Sequence, residues 1–565
     1  MKKIIKKIVS KSPFIKRAYY AYRRSNYIFP DYPKRLENLN NEVIFKRKKV
    51  LISTSVGGLP TAVNLDSLLG LALSERNAEV HYLLCDNFLP GCLMTEAGIL
   101  SPKDMIKSGP QKHFCKNCSK DGLLHLNKTG LKIHKFSEYV SKDQVNDLLK
   151  ESELIYKMDY KNLDADQKAI YEHAKAGCLR YFASSVIEED AESQSILKKF
   201  IHSALISKTV IENLMKDKGF DVISLINGIY IPQGIISYFG KKSGARIVTW
   251  NVAYRKKSFI FSHDDTYHHT LMHEPQADWK NFDFSSFDEA EIEKYLDSRQ
   301  RGGRDWIMFQ SDKPIESSEG IISSLKGLDK TKPIIGMLTN VAWDAQLHYP
   351  ANAFKNMLEW VVSTIQYFEQ RQDLQLVIRI HPAEISGDIP SRQPVVKEIR
   401  KHFPKIPKNV FVISPQSDIS TYKLMDLCNA AIIYGTKTGV ELASVGMPVI
   451  VAGEAWIRNK GLTHDADSES SYKQILDMLP FKSSMTKEQI TLAKKYAYHF
   501  FFRRMIPLDI VDATGGEPQF VPRIDSFVQL REGKSKGLDI ICNGILAGSP
   551  FIYPSEKYGI FDSER

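Results

Sequence analysis

The chain is expected to fold as two Rossmann-like α/β domains facing a cleft, preceded by a helical basic arm. Three observations lead there. Short apolar runs alternate with helix-patterned segments in two series, each long enough for an open parallel sheet. At 565 residues, with 43% apolar residues, the chain exceeds what one core supports. The net charge of +11 is gathered at one end: residues 1–50 hold 15 Lys and Arg against 3 acids, which leaves the remainder at −1.

Residues 1–46 form the arm. Ile4, Ile5, Ile8, Val9, Phe14, Ile15, Tyr19 and Tyr20 are interleaved with its lysines, a pattern suited to an interfacial helix on an anionic membrane surface. A solvated or body-packed helix is the alternative. Nucleic acid is not expected as a partner, because the body is neutral. No run of about 18 apolar residues is present, so no spanning helix is expected.

Residues 47–310 read as the first domain. Lys49–Thr54 is a buried strand, Ser55–Pro60 a glycine-containing turn, about 61–76 a helix and Glu79–Leu84 a second strand. Residues 86–135 resemble an insertion, with Gly, Pro and Cys but little periodicity. Residues 137–215 are helical by pattern, 221–226 and 245–250 restore the sheet, and 258–261 is strand-like. Residues 275–330 are polar and charged, with 311–330 as the linker. The second domain, 331–485, has strands at 333–339, 374–380, 409–413, 430–434 and 448–452. Helices fall between them at about 353–370, 394–402, 421–428 and 439–445. A last helix opens the 486–565 segment, which is expected to pack back on the body.

The most informative residues end the strands of the second series. Open parallel sheets bind ligands beyond the carboxyl ends of their strands. Arg379-Ile-His381-Pro-Ala-Glu384 ends one strand, and Gly435-Thr436-Lys437-Thr438-Gly439 ends another before a short helix carrying Glu441. A turn rich in Gly and Thr at a helix start offers N–H groups to a phosphate. Departure of a phosphate leaving group builds negative charge that fixed cations and dipoles stabilise. His381, Lys437, the N–H groups near Thr438 and Gly439, and Arg458 or Lys460 are the candidates, with Arg379 and Thr436 beside them. Glu384 adjoins His381, and Glu441 is placed to accept from a ribose diol. Each has a structural alternative, such as a turn, a helix-dipole partner or a local ion pair. No metal or other cofactor is required for this chemistry.

This arrangement resembles the glycosyltransferase-B fold, and within it the capsule polysaccharide biosynthesis family, the group containing bacterial capsule-linker Kdo transferases. The resemblance rests on His381-Pro382, on Thr438-Gly-Val-Glu441 with Gly446-Met-Pro448, on Thr339-Asn-Val-Ala-Trp-Asp344, and on Gly453 to Gly461. It is good over 330–465, weaker over 48–270 and absent from the arm. It implies a transferase moving sugar from a nucleotide-sugar donor to a saccharide or lipid-linked saccharide acceptor. A cytoplasmic enzyme held peripherally at the inner membrane face follows. A nucleotide-sugar 2-epimerase of the same architecture and a non-catalytic assembly scaffold are the alternatives.

The first half is expected to bind the acceptor. His263 and Asp265 follow a strand-like run, where an imidazole or carboxylate can take the acceptor's hydroxyl proton. Gly57 and Gly58 allow close backbone approach, and Asn340 and Asp344 complete the acceptor side. Cys85, Cys92, Cys115 and Cys118 fall in one window, and Cys115-Lys-Asn-Cys118 has the spacing of half a zinc knuckle. A structural zinc, reduced thiols and a disulfide are the three readings.

Overall fold

A computed structural model describes residues 47–561, apart from 302–303, 307–313, 348 and 388. The predicted arm over 1–46 lies outside the described residues.

The first sheet is built on β1 (Lys49–Ser55), β2 (Glu79–Leu84), β3 (Lys132–Lys135), β4 (Val222–Ile226), β5 (Arg246–Val252) and β6 (Ser258–His263). β1 is buried at every residue after Lys49, as a central strand covered on both faces must be. Strands β3-β2-β1-β4-β5 run parallel in that order, and β6 then pairs antiparallel with β5.

The second sheet comprises β7 (Ile334–Leu338), β8 (Gln375–Arg379), β9 (Val410–Ile413), β10 (Ala430–Ile433), β11 (Val449–Val451) and β12 (His464–Asp465). All its pairings are parallel, in the order β9-β8-β7-β10-β11-β12. This is the doubly wound order, in which the connections from β7 to β8 and into β10 lie on opposite faces. The crevice therefore opens at the carboxyl ends of β7 and β10.

Three long helices cover the first sheet: Lys142–Lys157, Ala165–Phe182 and Ala191–Lys218. Their starts are legible. Ser141 with Gln144 and Asp164 with Gln167 form capping boxes, and Asp190 caps the third. The helix Pro60–Ser74 is buried from Thr61 to Ser74, so it has no solvent face. The chain's end explains this. β13 (Ile506–Pro507) extends the first sheet beyond β6, and Val511, Phe520, Leu538 and Ile541 share a core with that helix.

Two predicted features change. The 86–135 segment contributes the edge strand β3 as well as the helix Cys115–Asn127. Because β6 runs antiparallel, its carboxyl end pairs His263 with Val248 near the start of β5. That end lies at the opposite edge of the sheet from the other carboxyl ends.

The two carboxyl edges face one another across a cleft. Tyr230, beyond β4, donates its hydroxyl to Asp344 Oδ1, beyond β7, at 2.6 Å. Ser185 Oγ donates to Gln393 Oε1 at 2.8 Å. His269 meets Glu454, beyond β11, at 3.2 Å.

Candidate functional site

A cavity of about 140 Å³ opens at the crevice of the second sheet. Thr339 follows β7, His381 follows β8, and Thr436, Lys437 and Thr438 follow β10. The loop from Ser417 to Tyr422 forms another wall, and Arg299, Arg304 and Asp305 close it from the connector.

His381 is fixed at both ends of its residue. Its backbone N–H donates to Thr339 Oγ1 at 3.0 Å. Its ring Nδ1 accepts from the Ala383 N–H at 3.1 Å. Burial, with Lys437 and Arg379 nearby, lowers its pKa to about 4. The ring is therefore neutral at pH 7, and with Nδ1 accepting, its proton sits on Nε2. Sequence reasoning left open a charged ring; the structure favours a neutral N–H donor.

Lys437 pairs with Glu441 Oε1 at 3.1 Å and stands 5.0 Å over the Tyr254 ring. Burial and Arg299 lower its pKa, against the pull of Glu441. Glu441 itself is 4% exposed. Burial would raise its pKa, yet Arg299, Lys437 and the Tyr422 hydroxyl hold it down at about 2. Arg299 Nε lies 3.3 Å from Oε1, and Tyr422 donates to Oε2 at 2.7 Å. Both carboxylate oxygens are thus engaged by the protein. Besides the ribose contact expected of it, Glu441 thus orders the cations at the cavity.

The turn before the helix Thr438–Ser444 also differs from expectation. The Thr438 N–H donates to Thr436 Oγ1 at 3.3 Å, and the Gly439 N–H points back to Thr436 O at 3.5 Å. The turn caps itself. A Cβ on Gly439 would lie 2.5 Å from Ile433 Cδ1, so this glycine admits close packing on β10, not a phosphate.

Several predicted residues serve the scaffold. Arg379 lines the cavity and also donates to Ser414 O at 2.6 Å and Ser417 O at 3.2 Å, shaping the loop that walls it. Glu384 Oε2 accepts from the Val395 N–H at 2.9 Å, starting the helix Val395–His402; it is not in the cavity wall. Arg458 donates to Gly453 O and Ala466 O. Lys460 donates to Leu271 O at 2.7 Å and Met272 O at 3.1 Å. Burial lowers its pKa to about 8, with Glu274 opposing. Neither cation reaches the donor cavity.

On the acceptor side, His263 is excluded by its location. It donates through Nε2 to Ser549 O at 2.9 Å and stacks on Phe551 at 4.4 Å. Asp265 accepts from the Thr266 N–H and pairs with His269 Nδ1 at 3.1 Å. Burial opposes it, but the His269 contact leaves its pKa lowered, which makes it a poor base. Asp344 reaches the cleft and binds Tyr230. Asn340 donates to Val341 O at 3.3 Å, and its Oδ1 is buried without a hydrogen-bond partner. A Cβ on Gly57 would lie 2.4 Å from Cys118 O and 2.6 Å from Gly122 Cα. The Gly58 N–H donates to Cys118 Sγ at 3.0 Å. Both glycines therefore seat the Cys115–Asn127 helix. The four cysteines do converge, lining one small cavity. As they stand, no group of three or more His, Cys, Asp or Glu among the described residues is gathered to hold a metal.

Arg299, Arg304, Asp305 and Tyr422 were not predicted. The first three come from a polar, charged stretch whose pattern signals exposure alone, and Tyr422 from a helix whose place at the cavity its period does not show.

Residues 316–490 match the model of the family described as capsule polysaccharide biosynthesis protein. The motifs from Thr339 to Gly461 that carried the resemblance all fall in that region, which supports it. No curated protein matches the chain. Solved structures with similar folds include Thermosulfurimonas dismutans KpsC beta Kdo 2,4 transferase, at 12% identity and TM-score 0.34, covering 55% of this chain and 88% of that one. The beta Kdo 2,7 transferase of the same KpsC gives 15% and 0.31, covering 57% and 88%. UDP-GlcNAc 2-epimerase from Neisseria meningitidis bound to UDP-GlcNAc gives 10% and 0.24, covering 80% and 97%. At these values the likeness does not extend to function.

Proposed function

We propose that the chain is a glycosyltransferase of capsule-type polysaccharide assembly, with the phosphate of a nucleotide-sugar donor seated in the cavity of the second sheet. The observation that carries this reading is the cluster of Lys437, Arg299, Arg304 and the neutral His381 at the doubly wound crevice, of which Lys437 and His381 fall in the region matching the capsule family. As the sugar leaves, charge grows on the phosphate oxygens. The Lys437 ammonium and the His381 Nε2–H are preorganised donors for that charge. Glu441, itself paired with Arg299, holds Lys437 in place, so little reorganisation is needed at the moment of transfer. The saccharide acceptor, free or lipid-linked, would enter from the cleft past Asp344 and Tyr254.

Among the described residues no helix is long and apolar enough to cross a membrane. The basic arm would hold the enzyme at the inner face beside a lipid-linked acceptor through charge and interleaved apolar side chains. Co-sedimentation of full-length and 1–46-deleted protein with anionic vesicles tests this; equal sedimentation of both removes the arm as an anchor.

Calorimetric titration with CMP-, UDP- and GDP-sugars tests the donor site, with product analysis for sugar transfer or hydrolysis. One donor is expected to bind and to lose its nucleotide. Lys437→Met should weaken binding, and His381→Ala should slow turnover by roughly a hundred- to thousand-fold. An isomerised sugar nucleotide would identify an epimerase. Absence of binding to any sugar nucleotide would leave a scaffold and overturn the proposal.

A further inference from the structure

Between the donor cavity and the first sheet the cleft has a built aromatic floor. Tyr254 stands in the turn after β5, at the carboxyl edge of the first sheet. The chain beyond β6 climbs back along β5. Thr249 Oγ1 donates to Asp265 O at 2.6 Å, and the Asn251 side chain faces the Tyr267 hydroxyl. Tyr267 thereby reaches the same edge as Tyr254. Both rings rest on Trp456 of the second domain, each at 5.8 Å between centroids. Trp456 in turn stacks on Phe500 at 5.3 Å. Two tyrosines from one sheet are therefore fixed against the other.

This floor begins at the wall of the donor cavity, where Lys437 lies 5.0 Å over the Tyr254 ring. Asp344, beyond β7, is exposed, and its charge acts on Tyr254 and Tyr267 as well as on its partner Tyr230. The polar atoms here are open to a ligand. Tyr254 and Tyr267 are half-buried. Among the described residues the Tyr254 hydroxyl has no hydrogen-bond partner, and it is not an enclosed atom. Asp344 gives Oδ1 to Tyr230 and leaves Oδ2 open. Phenols that donate and a carboxylate that accepts, set on an aromatic surface, suit a polyol.

Charge narrows the class of polyol. The nearby cations are already engaged. His269 is charged but lies between Asp265 and Glu454, at 3.1 and 3.2 Å. Lys437 pairs with Glu441. Arg180 lies over the Tyr230 ring and donates to Leu93 O. His268 is neutral, because burial and the neighbouring His269 lower its pKa to about 3. Among the described residues Asp344 is thus left without a cationic partner. A carboxylate or phosphate placed beside it would meet a like charge.

We propose that Tyr254, Tyr267 and Asp344 form the acceptor subsite, and that the sugar residue they take is uncharged: a neutral hexose or N-acetylhexosamine, not a uronic acid or a phosphosugar. The inference rests on the transferase reading and adds the acceptor's chemical class to it.

The test uses full-length protein and whichever sugar nucleotide binds in calorimetry. Initial rates are measured with the methyl glycosides of glucose, N-acetylglucosamine and glucuronic acid. A neutral glycoside should be used with kcat/KM roughly tenfold or more above that of the glucuronide. Tyr254→Phe and Tyr267→Phe should raise the acceptor KM by roughly 2- to 10-fold while the donor Kd keeps its parent value. A merely structural role would move both. Asp344→Asn should narrow the gap between neutral and charged glycosides; if it fails to fold, the two phenylalanine variants and the parent's preference still decide. A preference for the glucuronide, no use of either neutral glycoside, or an unchanged acceptor KM in both phenylalanine variants would overturn the inference. If the donor is still bound and hydrolysed in those cases, the transferase reading survives them. Absence of binding to any sugar nucleotide would overturn both.

Discussion

Replacing His269 with glutamine should remove an alkali-sensitive clasp between the two halves. His269 bridges Asp265, at 3.1 Å from Nδ1, and Glu454, at 3.2 Å from Nε2. Burial works against the charged ring, but the two carboxylates outweigh it and raise its pKa from 6.5 to about 10. The sign follows from proton uptake. The folded state holds a proton that the unfolded state releases above pH 6.5. The clasp is fully present below that pH and is lost as pH rises through about 10. The shift bounds its contribution at about 5 kcal/mol. The His269 side chain is 22% exposed and Asp265 49%, so solvent screening reduces the expected value to about 1–3 kcal/mol. Urea unfolding of the parent and His269→Gln at pH 6, 8 and 10 is the assay. The parent should be more stable at pH 6, and the difference should shrink toward pH 10. A difference independent of pH would refute the reasoning, because glutamine cannot titrate. Adding Glu454→Gln should show coupling at pH 6 and little at pH 10.

Other changes test other contacts. Glu441→Gln leaves Arg299 and Lys437 short of their shared anion and should cost about 3–5 kcal/mol; an unchanged urea midpoint would contradict the buried pairing. Asp66 is fully buried. Burial raises its pKa to about 7, against hydrogen bonds from Thr54 and Trp250, so parent stability should fall between pH 4 and 7 by up to about 4 kcal/mol. Asp66→Asn should lack that fall and melt higher than the parent at pH 8; parallel pH profiles would count against it. Gly57→Ala places a Cβ against the backbone of Cys118 and Gly122 and should destabilise by about 1–3 kcal/mol, as read by the midpoint of chemical unfolding.

The sequence by itself determined the alternating architecture and the edge at which the cavity opens. β7 and β10 are apolar throughout and β8 is apolar between Gln375 and Arg379, because both faces of a central parallel strand are covered. Where such runs stop, His381 and Thr436 to Thr438 line the cavity. The edge strand β3, of four residues, and β12 and β13, of two each, were not legible, since so few residues establish no period. Direction was hidden too. Ser258–His263 reads as a strand either way, and its antiparallel pairing with β5 carried His263 away from the cleft. Tertiary structure alone decided what each polar side chain serves. A buried charge needs a partner, but its residue type does not say whether that partner is ligand or protein. Lys460 found Leu271 O, 189 residues away, and His263 found Ser549 O, 286 away. Arg299, from a stretch that reads as a solvated connector, supplied the cation that sequence reasoning had sought in Arg458. Local patterns record burial and period; they carry no trace of contacts made by chain segments that meet only when both sheets have formed.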